Sequence, residues 1–276
     1  MLYAALGTLF FATTPVFIRW ASPLSSYEIA EGRLLIAFLM IYGLLFFRRE
    51  RFTLSREELP MFALFGLITA LHFLFYIASL SFTSIAHSLA IVYTAPIFVT
   101  LFSAVFLKEP IPTRKWSGVI MAVVGIGIMV GFQPNFNRRM MIGDLLALGS
   151  AIMFGFYSIM GRSQRSRYSL FMYAGTVYGF GALWLSPVAW IHRTPAGYTL
   201  IPLVSVLMLG IFPLGFGHTL YNAALRRAHA TYVNLIATQE VTGGILLGVL
   251  LLHEIPSFNS VVGVAVSLAG IALVLV

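Results

Sequence analysis

Runs of about twenty apolar residues recur roughly ten times along this chain, and no other feature restricts its fold as much. They fall near 1–20, 28–47, 58–80, 84–107, 114–132, 142–161, 168–191, 201–225, 229–252 and 257–276. A helix of about 20 residues crosses the hydrocarbon core of a bilayer, since each residue adds about 1.5 Å toward roughly 30 Å. Links such as Ser81 to Thr83 and Arg226 to Ala228 are so short that the helices they join must run antiparallel. No stretch between runs is long enough for a soluble domain. Only 9% of the residues are charged, 59% are hydrophobic and the mean hydropathy is +0.93. A soluble domain carries roughly 25% charged residues. The expected fold class is an all-α polytopic membrane protein with ten transmembrane helices. The first run has no basic region before it, so it is read as the first helix rather than as a cleaved signal peptide.

The formal charge of +8 would suggest a nucleic-acid partner if the basic residues clustered on a soluble face. They sit instead in the short gaps between runs, which argues for membrane topology and against nucleic acid. With the N-terminus inside, twelve basic residues, among them Arg48, Arg49, Arg114, Lys115, Arg226 and Arg227, fall in inner loops. The other five of the 17, namely Arg19, Arg33, Arg138, Arg139 and Arg193, fall outside. The positive-inside rule then places both termini in the cytoplasm. There are no cysteines, so no disulfide can form.

The chain also repeats. Shifting Tyr76–Val130 by 145 residues lays it on Tyr221–Leu275 without a gap. Tyr76 meets Tyr221, Glu109 meets Glu254, Gly118 meets Gly263 and Gly125 meets Gly270 in that register. A weaker echo pairs Ala5, Leu6 and Gly7 with Ala147, Leu148 and Gly149 at a shift of 142. The chain thus divides into two five-helix units, 1–135 and 136–276. Five is odd, so the second unit enters the membrane from the opposite side. Inverted repeats of this kind place a substrate site near the midplane, between the units.

Polar residues inside the runs mark that site. Glu240 lies near the middle of the ninth run, where a charge costs about 3 kcal/mol or more. It therefore faces a cavity or a partner, and a structural partner and an ion-coupling role are both open. The third run carries His72, Tyr76 and Ser79; the fourth, His87, Ser88, Tyr93 and Thr94; the sixth, Tyr157 and Ser158. The eighth carries His218, Tyr221 and Asn222, and the ninth Asn234 and Thr238 on one face. Glu240 is about 120° round the helix from that face. These residues suggest a cavity lined by the first, third, fourth, sixth, eighth and ninth helices. Its rings and amides would suit a flat apolar group, and an aromatic face can also hold an ammonium group. For His72 and His218 a satisfied helix–helix hydrogen bond is the alternative. Arg33 is read as an interfacial anchor that snorkels to water, or as a substrate-carboxylate contact at the outer mouth. Glu109 and Glu254 are placed at helix ends near the cytoplasmic face, in structural roles. Pro96, Gly243 and Gly244 are candidate hinges, since both residue types relax helical hydrogen bonding. The glycine faces of the fifth and tenth runs are read as scaffold or as a homodimer surface.

A proline about 12 residues ahead of Leu-x-Glu at a helix end, then Gly-x6-Gly, appears as Pro96, Leu107, Glu109, Gly118 and Gly125. Its second half recurs as Leu252, Glu254, Gly263 and Gly270. This doubled pattern resembles the drug/metabolite transporter superfamily of the EamA type, over the whole chain. Within it the chain is most similar to the YddG-type aromatic amino-acid exporters. The family often has Glu-Pro in the ninth helix; here Glu240 precedes Val241, so the kinking proline is present only at Pro96. The resemblance implies a bacterial inner-membrane protein that moves amino acids, aromatic ones foremost, outward by alternating access. A multidrug or cation exporter, or a passive facilitator of the same fold, is the alternative. No nucleotide-binding loop is present, which argues against ATP-driven transport. His192, His229 and His253 are scattered without ligand spacing, so neither an enzyme nor a metal or cofactor site is expected.

Overall fold

The computed structural model describes residues 2–49, 54–106, 112–131, 137–164, 167–225, 233 and 236–276. Among these the regular structure is helical throughout. The helices are α1 (Leu2–Ala12), α2 (Thr14–Trp20), α3 (Ser26–Phe47), α4 (Leu59–Phe82), α5 (Ile85–Val92), α6 (Ala95–Phe106) and α7 (Thr113–Gly131). They continue with α8 (Arg138–Gln164), α9 (Leu170–Ile191), α10 (Leu200–Leu209), a π-helical stretch Gly210–Gly217, and α11 (His218–Leu225). The last two are α12 (Gln239–Leu252) and α13 (Phe258–Leu275). Among the described residues, seven helical stretches are long and apolar enough to cross a membrane, and α12 is a shorter apolar helix.

Local signals set the helix starts. Ser25 and Glu28 form a capping box: the serine hydroxyl accepts from the Glu28 N–H while Glu28 accepts from the Ser25 N–H. Ser84, Ser169 and Ser257 cap α5, α9 and α13 in the same first-turn manner. Pro60 occupies the first turn of α4, where its missing N–H leaves no helical bond unmade.

Small residues decide which helices touch. A Cβ added at Gly118 would lie 2.6 Å from the Gly270 carbonyl, and one at Gly125 2.7 Å from that of Gly263. The order of these contacts makes α7 and α13 antiparallel. The same holds for α3 and α9, where Gly179 meets Phe38, Gly175 meets Ile41 and Ser186 bonds Glu31. Gly149 on α8 packs on Phe75 of α4, and Gly7 on α1 packs on Leu220 of α11. Those two contacts are related by the sequence shifts of 142 and 145. The paired glycines of α7 and α13 are consumed by their mutual contact inside one chain, which is the scaffold reading of those faces. Gly127, by contrast, faces open space.

A network of charges closes one end of the bundle. Arg19 pairs with Glu254 at 2.9 Å and donates to the carbonyls of Leu80 and Thr83. The other Glu254 oxygen accepts from the Ile85 N–H at the start of α5. Glu254 therefore shares the end of the bundle with Arg19 and the 83–85 link, the end counted as outer. If Arg19 is outer, as the positive-inside count has it, Glu254 is outer too, so its expected place at the cytoplasmic end and that count exclude each other. Glu109 lies outside the described residues.

Close approach of α7 and α13 predicts a sharp contrast between glycines. A Cβ at Gly125 would stand 2.4 Å from the Ser267 nitrogen, whereas nothing lies within 4 Å of one at Gly127. Gly125→Ala is expected to destabilise the purified protein by about 1–3 kcal/mol, as overpacking does. Gly127→Ala should leave its melting temperature unchanged.

Candidate functional site

A cavity opens where the broken helices converge, enclosing about 740 Å³ of space free of atoms, its open side included. Phe11 and Thr14 reach it from α1 and α2, and Arg33 from α3. His72, Phe73 and Tyr76 of α4 form one wall, with Phe154 of α8 beside them. Val92, Tyr93, Ala95 and Pro96 line it at the α5–α6 junction. His218 and Tyr221 of α11, with Ala237, Thr238 and Glu240, complete it.

Every helix interruption in this region borders the cavity. α1 stops and α2 begins around Thr13, just ahead of Pro15. The α5–α6 break falls at Tyr93 and Thr94, ahead of Pro96, whose missing N–H cannot close a helical bond. Thr238 interrupts the chain before α12, and its carbonyl accepts from the Val241 N–H three residues on. Position 238 is position 93 plus the repeat shift of 145, yet no proline follows it. The π-helical stretch ends at Gly217, next to His218. Irregular backbone at membrane depth is tolerated where it lines a cavity rather than lipid. Gly243 and Gly244 lie inside unbroken α12, where added Cβ atoms would stand 2.8 Å from Ala12 and 2.6 Å from Leu89. They serve close helix approach there, and the interruption is at Thr238.

Aromatic rings form a continuous band around the wall. Phe154 contacts His72 at 5.0 Å between centroids, His72 contacts Phe73 at 4.8 Å, and Phe73 meets His218 edge-on at 5.9 Å. Phe11 then contacts His218 at 4.8 Å and Tyr221 at 6.1 Å. Such pairs contribute about 0.5–1.5 kcal/mol each beyond area burial and fix ring orientation.

Two charges share this cavity. Glu240 is 7% exposed, and its Oε2 accepts the Tyr93 hydroxyl proton in a hydrogen bond. The 120° offset from the Thr238 face assumed one continuous helix. The break at Thr238 resets the phase, so Thr238 and Glu240 both reach the cavity. Arg33 is 2% exposed, with its guanidinium 4.4 Å above the Phe73 ring. It does not snorkel to water but lies on the cavity wall. The helix starts at Ser26, so Arg33 is about two turns down its axis, within the buried stripe of Ala30, Leu34, Ala37 and Ile41.

The remaining candidates are turned elsewhere. Ser79 bonds Ser88 at 2.6 Å and the Tyr76 carbonyl at 2.7 Å, tying α4 to α5. His87 is fully buried, with Nδ1 3.1 Å from Asp144, which also accepts from the Thr83 hydroxyl. Tyr157 packs on Phe154, away from the cavity lining. Asn222 donates to the carbonyl of His218 one turn back. Asn234 lies outside the described residues. His72 does both things considered for it: Nδ1 is 2.9 Å from the Ser150 hydroxyl, which donates to the His72 carbonyl, while the ring faces the cavity. Among the described residues no cluster of His, Asp or Glu could hold a metal ion.

The profile of the EamA-like transporter family matches residues 1–131 and again 141–276. The chain belongs to the EamA-like transporter family. It is a multi-pass membrane protein and a membrane transporter. Relatives include an uncharacterized transporter of Archaeoglobus fulgidus, 24% identical over 99% of this chain and 96% of that protein. The pseudopaline exporter CntI of Pseudomonas aeruginosa is 26% identical over 99% of this chain and 95% of its own. A solved crystal structure aligns at a TM-score of 0.71 and 18% identity, over 99% of this chain and 94% of its own, and shares the fold.

Removing the Tyr93 hydroxyl isolates one interaction of this EamA-family site. A hydrogen bond to a charged group is worth about 1.5–3 kcal/mol. Tyr93→Phe should lower thermal stability by that order, and Glu240→Gln, which keeps an acceptor for the tyrosine, by less. Equal melting temperatures for wild type and Tyr93→Phe would show that the bond contributes nothing.

Proposed function

We propose that the chain is a secondary transporter that exports amino acids, aromatic ones foremost, and related metabolites across the bacterial inner membrane. It works by alternating access between two inverted five-helix units, 1–135 and 136–276, with both termini in the cytoplasm. The observation that carries this reading is the aromatic band around a cavity built from both units. Flat side chains stack on such rings, and an aromatic face also attracts an ammonium group.

The inverted arrangement is supported by the antiparallel pairing of α3 with α9 and of α7 with α13. Repeat-equivalent helices that meet antiparallel are what a pseudo-two-fold axis in the membrane plane produces. The double match to one family profile supports the same division. His72, Tyr76, Tyr93, His218, Tyr221 and Thr238 are the substrate-facing group in this reading. Hinge motion is assigned to the breaks beside Pro96 and at Thr238. Glu240 is the group that couples flux to protons. Export of a metabolite other than an amino acid is the second reading, and it is favoured by the relative named as a pseudopaline exporter. A cation exporter is disfavoured by Arg33, which places a positive charge on the cavity wall.

Proteoliposomes loaded with phenylalanine or tryptophan test the substrate. Saturable efflux, suppressed by the other aromatic amino acid, is expected. Without saturable flux for any amino acid the amino-acid assignment fails, while the fold stands. An imposed pH gradient should accelerate wild-type flux, and Glu240→Gln should lose that acceleration. A variant that responds to the gradient as the wild type does removes the carboxylate from coupling.

A further inference from the structure

We propose that Arg33 is the carboxylate anchor of the cavity, so that the transported molecule is a zwitterion whose carboxylate meets Arg33 and whose ammonium meets Glu240. This deepens the export reading and rests on it only for the cavity being the substrate site.

Arg33 is buried deep in the bundle, yet its Nε and Nη1 have no hydrogen-bond acceptor. The acids near it in sequence are engaged elsewhere. Glu28 accepts from Ser25, Thr194 and Tyr198, and Glu31 accepts from Ser186. Phe73 covers one face of the guanidinium, but a ring face leaves the in-plane donors unfilled. Those donors form a planar fork whose geometry matches a carboxylate. The Tyr76 hydroxyl, on the same cavity wall, is likewise buried without a partner. Buried donors are nearly always paired, so three unpaired ones on two residues of one cavity wall describe the complement of an acceptor.

Glu240 supplies the opposite end. Its Oε2 is held by Tyr93, and it interacts electrostatically with Arg33 across the cavity without forming an ion pair. A zwitterion satisfies both charges at once and leaves the cavity neutral. A cation lacking a carboxylate leaves the Arg33 fork empty and is repelled by it. An anion lacking an ammonium fills the fork but leaves Glu240 without a counter-charge. The aromatic band between the two charges then receives the side chain.

Calorimetry on the purified full-length protein with L-phenylalanine, L-phenylalaninamide and 3-phenylpropionate tests this. Phenylalanine is expected to bind the wild type at least about tenfold more tightly than its amide and more tightly than phenylpropionate. Arg33→Gln should weaken phenylalanine and, with the like charge gone, tighten the amide, so that the preference for the acid is lost. Arg33→Lys should recover part of the difference. Equal binding of acid and amide by the wild type overturns the anchor without any variant, as does an Arg33→Gln protein that loses both to the same degree. If no amino acid binds but a simple carboxylate does so through Arg33, the amino-acid assignment fails and the anchor stands. If no carboxylate-bearing probe binds, the anchor falls.

Discussion

A charge inside a membrane bundle must be kept from lipid, and here one cavity shelters two of opposite sign. Arg33, on unbroken α3, and Glu240, just past the break at Thr238, come from distant parts of the chain and face the same space. The interruptions at Thr13, at Tyr93 and Thr94, and at Thr238 turn side chains and backbone toward the same space. Tyr93 sits at one of these breaks and bonds Glu240, which follows another. The broken helices and the buried charges are thus two sides of one arrangement: the breaks create the polar space, and the charges would be intolerable without it.

Around this space the packing is tight. Glycine contacts hold α7 to α13 and α3 to α9 at distances that leave no room for a methyl group. At one end, Arg19, Glu254 and the start of α5 are joined by ion pairing and backbone hydrogen bonds. Nearby, Thr83, Asp144 and His87 tie α4, α8 and α5 together. Each network joins residues before 135 to residues after 136. The two segments therefore meet through close glycine contacts and side-chain bonds, and around a ring-lined cavity.

Much of this was legible in the sequence, for physical reasons. Apolar runs of spanning length are required by the lipid, and the doubled glycine register is required by the α7–α13 contact. His72, Tyr76, Tyr93, His218, Tyr221, Thr238 and Glu240 all reach the cavity, because a polar group in such a run needs a polar neighbour. The same need sent Ser79, His87, Tyr157 and Asn222 into helix contacts, and periodicity alone does not separate the two outcomes. Phe11, Phe73 and Phe154 were missed because a phenylalanine on a cavity wall looks like one facing lipid. Arg33 was misplaced because its helix begins earlier than the apolar run does; the Ser25 and Glu28 capping box was the available signal. Thr14 and the first break could have been found from Pro15.

The absence of cysteine from the chain permits the most direct test of the cavity as a passage. Single cysteines at Ala95 and Ala237, both on the cavity wall, can be compared with one at Ala37, which is sealed between helices. With a small water-soluble thiol reagent, positions 95 and 237 should react readily and be slowed by a saturating transported substrate, while position 37 stays inert. Labelling at 95 and 237 as slow as at 37 would contradict a water-filled passage between the two halves.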